Sequence, residues 1–465
     1  MTDAIDVFAQ GAVALDVMTA AHSSAKELAA LGQARLTRLL CAAHQGSAWY
    51  RDQWRGVDPL RATLADLPVS TKPVLMQHFD DWVTDPALRL DTLRAFIADK
   101  AHIGQPFLGR YTVWESSGTR GEPGVFVQDE QAMAVYDTLE ALRRDAPRPW
   151  QRLLDPWMLT ERLAFVGATG GHFASQVSLQ RLRRLHPWLH ARLRSFSILQ
   201  PTADLVGQLN DFAPTVLATY PTAAVMLAEE SRRGALRIRP AEVWTGGETL
   251  GAAMRQQVVD TWGCALRNSY GASEFFSIAW ECGQGAMHVN SDWVLLEAVD
   301  AAHRPVPAGE LSHTTLLTNL ANTVQPVIRC DIGDRIRWQP TACACGSPLP
   351  VLEVQGREDS PLRMAGRGGR VVTLLPLALT TVLEDEAEEF DFQLHREDAH
   401  TLVLRLGAGG TDSPDRAARC EAVLRAFGAR QGVVGLKVRV QSDAPLRHGH
   451  SGKLQRVLAT RPEGP

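Results

Sequence analysis

RLAFVGA at residues 162–168, FSILQ at 196–200, PTVLATY at 214–220 and AEVWTGG at 241–247 are short β-rich runs, and the stretches between them, including SLQRLRRLHPWLHARL at 178–193, carry helical spacing. Alternation of this kind builds βαβ units and a mainly parallel sheet with helices on both faces, so the segment predicts an α/β fold. No internal repeat or low-complexity tract interrupts it. On its N-terminal side, apolar residues recur at helical spacing over 11–43, and LPVSTKPVLMQHF at 67–79 supplies a turn in which Pro73 opens another helix. On its C-terminal side, from about Val294, WVLLEAV, GELSHTTLLT and QPVIRCDIGDRIRWQP read as strands joined by turns, a β-rich subdomain closing the large one. Beyond Asp359 a strand-like run, a helix near 374–383, strands at 390–394 and 401–406, a helix at 414–427 and the strand GLKVRVQ read as a small α+β domain. The expected division is therefore 1–358 and 359–465.

Composition sets the partners. A chain of 465 residues is too long for one compact core, and 45% hydrophobic with 22% charged residues suits neither a disordered nor a fibrous chain. A net charge of -4 offers no field to gather nucleic acid, so small molecules are the expected ligands. Apolar stretches such as 371–383 fall short of the roughly 20 residues of a membrane span. MTDAIDVFAQ lacks the basic and apolar regions of a signal peptide, which points to the cytoplasm. Seven scattered cysteines, an odd count, argue for reduced thiols rather than a disulfide framework.

Four segments carry chemistry. ESSGTRGEPGVF at 115–126 follows a strand-like TVW and can turn backbone N–H groups and the hydroxyls of Ser116, Ser117 and Thr119 onto phosphate oxygens, with Arg120 adding charge; a plain surface loop is the alternative. No Walker lysine follows it. In NSYGASEF, Tyr270 can stack on a purine and Glu274 can hold Mg²⁺, or the pair is a buried ring beside a cap. Asp334 in PVIRCDIGDRI can accept ribose hydroxyls, or it is a turn aspartate. HGHSGKLQRV places Lys453 in a glycine-preceded loop suited to deliver a point charge to a phosphoanhydride, or simply to meet solvent.

Taken in order, SSGTRGEP, TGGE, YGASE, IRCDIGD, GRED and SGKLQRV resemble the adenylate-forming superfamily of acyl-CoA synthetases, and most closely its phenylacetate-CoA ligase family, from about Leu67 to Val457. The resemblance implies a large N-terminal domain of several subdomains, a small mobile C-terminal domain, and a two-step reaction with Mg-ATP. It makes Ser116, Ser117, Gly118, Thr119, Arg120 and Gly121 the loop over the β- and γ-phosphates. Gly246, Gly247 and Glu248 would border the adenine. Tyr270, with Gly271, Ala272 and Ser273, would pack on the purine, while Glu274 holds Mg²⁺, Asp334 the ribose and Arg357 the ribose or phosphate side. Asp359 would be the hinge and Lys453 the bridge between the carboxylate and the α-phosphate. In family terms the acid pocket matches FVGATGGHF and ATYPTA, giving Gly167, His172, Phe173, Tyr220 and Pro221, with Phe275 beyond them; a lone histidine such as His172 is more often a packing residue.

The chain departs from the family at two places. Arg120 stands where a small hydroxyl residue is common, and SPLRMAGRGGRVVTLLP replaces the RGVNVFP-like turn that helps form the CoA tunnel, so the chain sits among divergent relatives. The expected product is an acyl-CoA, with an aromatic acid as the expected substrate; transfer to a carrier-protein thiol or an amine, and a nucleotide-binding module without catalysis, are the competing readings. Monomer and homodimer both stay open. Finally, Cys282 and His288 in ECGQGAMH, with Cys343 and Cys345 in CACG, have the donor set of a structural Zn²⁺ site, or they are buried thiols beside a core histidine.

Overall fold

The computed structural model describes residues 7–116, 123–144, 155, 159–355, 361–407, 414–441 and 456–458. The helical lead-in is two helices, α1 (Val7–Ala20) and α2 (Ala25–Gly46), because Ser24 and Glu27 form a capping box that starts a new helix there. Pro73 sits in the first turn of α3 (Lys72–Gln77), where a missing N–H costs nothing. The hairpin of β1 (Thr112–Glu115) and β2 (Val125–Gln128) leads into α4 (Glu130–Leu142), capped by the Asp129 carboxylate on the Ala132 N–H at 2.7 Å.

The predicted alternation follows as β3 (Leu163–Gly167), α5 (Ala174–Leu185), β4 (Leu193–Ser197), α6 (Thr202–Phe212), β5 (Val216–Thr219), α7 (Pro221–Arg232), β6 (Glu242–Thr245), α8 (Ala252–Trp262) and β7 (Ala265–Ala272). These five strands pair in parallel in the order β7-β6-β5-β3-β4. The same sheet then continues antiparallel through β8 (Phe275–Glu281) and β9 (Met287–Val289). Strands β10 (Val294–Val299), β11 (Thr314–Asn319) and β12 (Cys330–Asp331) form a separate sheet with the short strand Ser70–Thr71. The β-rich segment therefore divides, because β13 (Arg335–Trp338) and β14 (Val351–Gln355) return to the edge of the large sheet beside β9, making it nine-stranded and mixed.

Near the C-terminus, β15 (Leu362–Ala365) and β16 (Val371–Leu374) form a hairpin followed by α9 (Pro376–Ala387). Then β17 (Phe392–Arg396), β18 (Thr401–Leu406), α10 (Pro414–Gln431), β19 (Lys437–Gln441) and β20 (Val457–Leu458) complete a small sheet in the order β19-β18-β17-β20.

Two large apolar clusters hold these layers, at roughly 25 cal/mol for each Å² removed from water. One joins Leu39, Trp82, Trp114, Tyr136 and Phe275 to Val294 and Leu317. The other joins Val166, Leu217 and Val243 of the parallel strands to Leu379, Phe392, Leu404 and Phe427 of the C-terminal elements. The C-terminal part is thus docked, and Gln431 adds hydrogen bonds from Nε2 to the carbonyls of Leu199 and Gln200 at 2.8 and 3.0 Å. Among the described residues no helix is long and apolar enough to cross a membrane.

Candidate active site

Parallel strands bring their C-terminal ends to one edge, where open α/β sheets form crevices. Residues just past β3, β5, β6 and β7, among them Ala168, Tyr220, Gly246 and Ser273, line a cavity of about 1680 Å³ there. Gly246, Gly247, Glu248, Tyr270, Gly271, Ala272, Ser273, Glu274 and Asp334 all reach this wall, so TGGE, YGASE and IRCDIGD, distant in sequence, meet in space.

Glycines make the meeting possible. A Cβ on Gly246 would lie 2.7 Å from Ser269 Oγ, and Gly247 has φ +77 with the Tyr220 ring 3.1 Å from where a Cβ would stand. At the β7–β8 turn the register shifts between Tyr270 and Ala272, and a Cβ on Gly271 would fall 2.1 Å from the Phe276 carbonyl oxygen. The bulge aims the Tyr270 ring so that its hydroxyl donates to Asp334 Oδ2 at 2.8 Å. Burial, reinforced by the Asp334 charge, holds the Tyr270 hydroxyl well above its usual range, so it stays a donor. The Glu274 backbone is anchored by Asn319 Nδ2 donating to its carbonyl at 2.9 Å. Glu248 has a second employment: its carboxylate accepts from the N–H and hydroxyl of Thr222 at 3.0 and 3.1 Å, capping the start of α7.

Ser116 follows β1 at the cavity, its Oγ accepting from the Gly124 N–H at 2.9 Å and from Lys72 Nζ at 3.2 Å. The reading of 67–79 as a helix start passed over Lys72, a second cation at the expected phosphate loop. Ser117, Gly118, Thr119, Arg120, Gly121, Arg357, Asp359 and Lys453 lie outside the described residues. The C-terminal elements reach the cavity through Thr380, Thr381 and Glu384 of α9 and through Arg456. Arg456 is ion-paired with Glu384 and donates to the Phe390 carbonyl at 2.5 Å. It lies three residues after Lys453.

The expected acid pocket is assembled differently in detail. Phe173 and Tyr220 line the cavity, whereas Gly167, His172, Pro221 and Phe275 do not. Gly167 makes room for the lining ring of Phe165, which would meet a Cβ at 2.4 Å. Pro221 is buried in the first turn of α7. Phe275 packs edge-on against Tyr136, centroids 5.1 Å apart, and strand alternation turns Phe276 to the cavity in its place. His172 is 1% exposed and faces Phe96, with neither ring nitrogen hydrogen-bonded among the described residues. Burial lowers its imidazole below the ordinary value, as expected of a packing histidine. Its backbone N–H donates to Glu115 Oε1 at 3.1 Å, and burial raises that cavity-lining carboxyl. The far wall, which sequence patterns did not disclose, includes Asp137, Glu140, Arg144 and Trp244; Arg144 lies 3.7 Å over the Trp244 ring and pairs with Glu140.

Cys282, His288, Cys343 and Cys345 converge beside this wall, their candidate ligand atoms all within 4.8 Å of one another.

No protein-family model matches the chain. It is 26% identical over 379 residues, 77% of its own length and 75% of the relative's, to a phenylacetate-coenzyme A ligase of Thermus thermophilus. Its structure is similar to that of 2-hydroxyisobutyryl-CoA ligase in complex with 2-HIB-AMP and CoA in the thioesterification state, with TM-score 0.58 and 23% identity over 95% of this chain and 91% of that one. It is also similar to the same ligase in its postadenylation state, with TM-score 0.53 and 20% identity over 93% and 89%. In sequence the chain is similar to a phenylacetate-coenzyme A ligase, and its α/β fold is similar to that of a 2-hydroxyisobutyryl-CoA ligase.

Proposed function

We propose that the protein is an AMP-forming acid–CoA ligase that activates a carboxylic acid with ATP and passes the acyl group to the CoA thiol. One observation carries the reading: three motifs spread over nearly ninety residues, from Gly246 to Asp334, line one cavity, with Tyr270 hydrogen-bonded to Asp334 across it. In this reading a carboxylate oxygen of the acid attacks the α-phosphorus of ATP. The bond to the β-phosphate breaks, and pyrophosphate leaves. The CoA sulfur then attacks the acyl carbon, the bond to AMP breaks, and the thiol proton passes to solvent.

Acid and ATP are both anionic, so the protein's task is positioning and charge neutralisation. Tyr270 supplies a ring for the purine, and Asp334, oriented by the Tyr270 hydroxyl, accepts from the ribose. Lys72 and Ser116 extend the phosphate loop, while Lys453 serves adenylation. Glu274, in the cavity wall, suits Mg²⁺, which would neutralise phosphate charge. No step of this chemistry uses the Cys–His cluster. The acid is proposed to carry an aromatic or similarly flat group, because Phe165, Phe173, Trp244 and Phe276 line the cavity. The segment 359–465 is proposed as a mobile domain turning about Asp359 between half-reactions, in a cytoplasmic monomer or homodimer. Transfer to a carrier-protein thiol or an amine is the second reading, favoured by LRMAGRGGRVVTLLP in place of the usual tunnel turn.

Acid-dependent exchange of labelled pyrophosphate into ATP tests the first half-reaction. Exchange with one class of acids, abolished in Lys453→Ala, is expected; ATP binding without exchange for any acid would sink the proposal.

A further inference from the structure

The Cys–His cluster lies outside the proposed chemistry, and its geometry repeats itself. After Cys282 the N–H of Gln284 points to Cys282 Sγ at 3.4 Å, the N–H of Gly285 donates to the Cys282 carbonyl at 3.0 Å, and Gly285 takes φ +79. After Cys343 the N–H of Cys345 points to Cys343 Sγ at 3.5 Å, the N–H of Gly346 donates to the Cys343 carbonyl at 3.2 Å, and Gly346 takes φ +81. Two loops about sixty residues apart thus adopt the same knuckle, each with N–H groups turned onto a sulfur. Such donors stabilise a thiolate more than a thiol. The Ser347 N–H does the same for Cys345 Sγ at 3.4 Å.

Two distances between the loops fit those of a tetrahedral metal site, and all four candidate ligand atoms lie within 4.8 Å of one another. Zn–S bonds of about 2.3 Å place tetrahedral sulfurs roughly 3.8 Å apart. Cys282 Sγ and Cys343 Sγ are 3.8 Å apart, too far for a disulfide near 2.05 Å, and Cys345 Sγ is 3.3 Å from His288 Nε2. His288 is 5% exposed, and its Nδ1 lies 2.9 Å from the Leu349 carbonyl, which can only accept. The Nδ1 proton is thereby fixed, and the Nε2 lone pair is aimed into the cluster, the usual orientation of a metal-ligating histidine.

We infer that Cys282, His288, Cys343 and Cys345 form a closed zinc site that fastens the β8–β9 hairpin to the β13–β14 turn. Its consequence concerns the cavity. Gln284 and Met287, between the first two ligands, and Gln339 and Val351, flanking the other two, all line the cavity wall. The metal is a brace for that wall, and it has no open position for substrate. Three thiolates and one neutral imidazole give the site a charge of -1 with Zn²⁺, and loading releases the thiol protons to solvent.

Metal analysis of the full-length protein tests this. Close to one zinc per chain is expected as purified, or after exposure of the reduced protein to ZnCl₂, and Co²⁺ uptake should give the intense visible absorption of tetrahedral thiolate cobalt. Cys345→Ser and His288→Gln should bind less than a tenth as much metal after dialysis, whereas Cys41→Ser, a cysteine outside the cluster, should bind as the wild type does. If the ligand variants do not fold, a thiol-blocking mercurial with a zinc indicator reads the release on the wild-type chain. Failure of reduced wild-type protein to retain Zn²⁺ or Co²⁺, or equal retention by Cys345→Ser, would overturn the inference. Neither outcome depends on adenylation, so the proposed activity stands or falls separately.

Discussion

Replacing Gly271 by Ala tests whether the β7–β8 bulge builds the nucleotide wall. The added methyl would sit 2.1 Å from the Phe276 carbonyl oxygen, against ordinary contact from 3.4 Å, so the strands must part by about 1.3 Å or the bulge must rebuild. Backbone cannot swing aside as a long side chain does, and overpacking of this kind costs about 1–3 kcal/mol. A shift of that size also breaks the 2.8 Å hydrogen bond from Tyr270 to Asp334. In a thermal denaturation series Gly271→Ala should unfold roughly 1–3 °C below wild type, and its KM for ATP should rise about tenfold. Gly207 supplies the control: it is exposed inside α6 with nothing within 4 Å of a Cβ, so the same substitution there should stabilise by about 0.5–1 kcal/mol. If Gly271→Ala matches wild type in both stability and KM, the close approach argued here is wrong.

Tyr270→Phe keeps the ring and deletes the donor to Asp334; removal of a hydrogen bond to a charged group should weaken ATP binding by about 1.5–3 kcal/mol, read by titration calorimetry. An unchanged ATP affinity would remove Tyr270 from the role of orienting Asp334. His172→Phe addresses pH. Burial lowers the folded imidazole below its ordinary value of 6.5, so the unfolded chain takes the extra proton first, and folding loses stability as pH falls through about 6.5 toward the folded value. The phenyl replacement should leave stability at pH 7.5 within about 1 kcal/mol and flatten the decline of melting temperature between about pH 7 and 5, with His186 supplying a remaining slope of the same sign. An equally steep decline in the variant would place the sensitivity elsewhere.

The parallel half of the sheet was legible because periodicity and turn residues act locally: β3, β5 and β6 stand where RLAFVGA, PTVLATY and AEVWTGG predict them. Which sheet a strand joins is a tertiary choice, and β13 and β14 took the large sheet's edge, where β9 offered a partner. The misplacement of Phe275 has a local cause. A bulge at Gly271 breaks the simple alternation that would have given the phase of β8, so the inward ring is Phe276. Lys72 escaped because STKP reads as a helix start, and its approach to Ser116, forty-four positions away, exists only in the folded chain. Glu248 was legible as a cavity residue, while its capping of α7 depends on Thr222 standing in the first turn of that helix. The matched knuckles of the Cys–His cluster were half visible: donor types and glycines are in the sequence, and the convergence of the two loops is not.

The most direct test of the acid–CoA ligase reading is mass spectrometry of products formed by purified protein with Mg-ATP and a panel of aromatic, hydroxylated and aliphatic acids, with and without CoA. The account predicts AMP and an acyl-CoA together for one class of acids, and acyl-adenylate alone when CoA is withheld. Acid-dependent AMP with no acyl-CoA in the presence of CoA would contradict the assigned acceptor, and no acid-dependent AMP at all would contradict the chemistry assigned to the cavity.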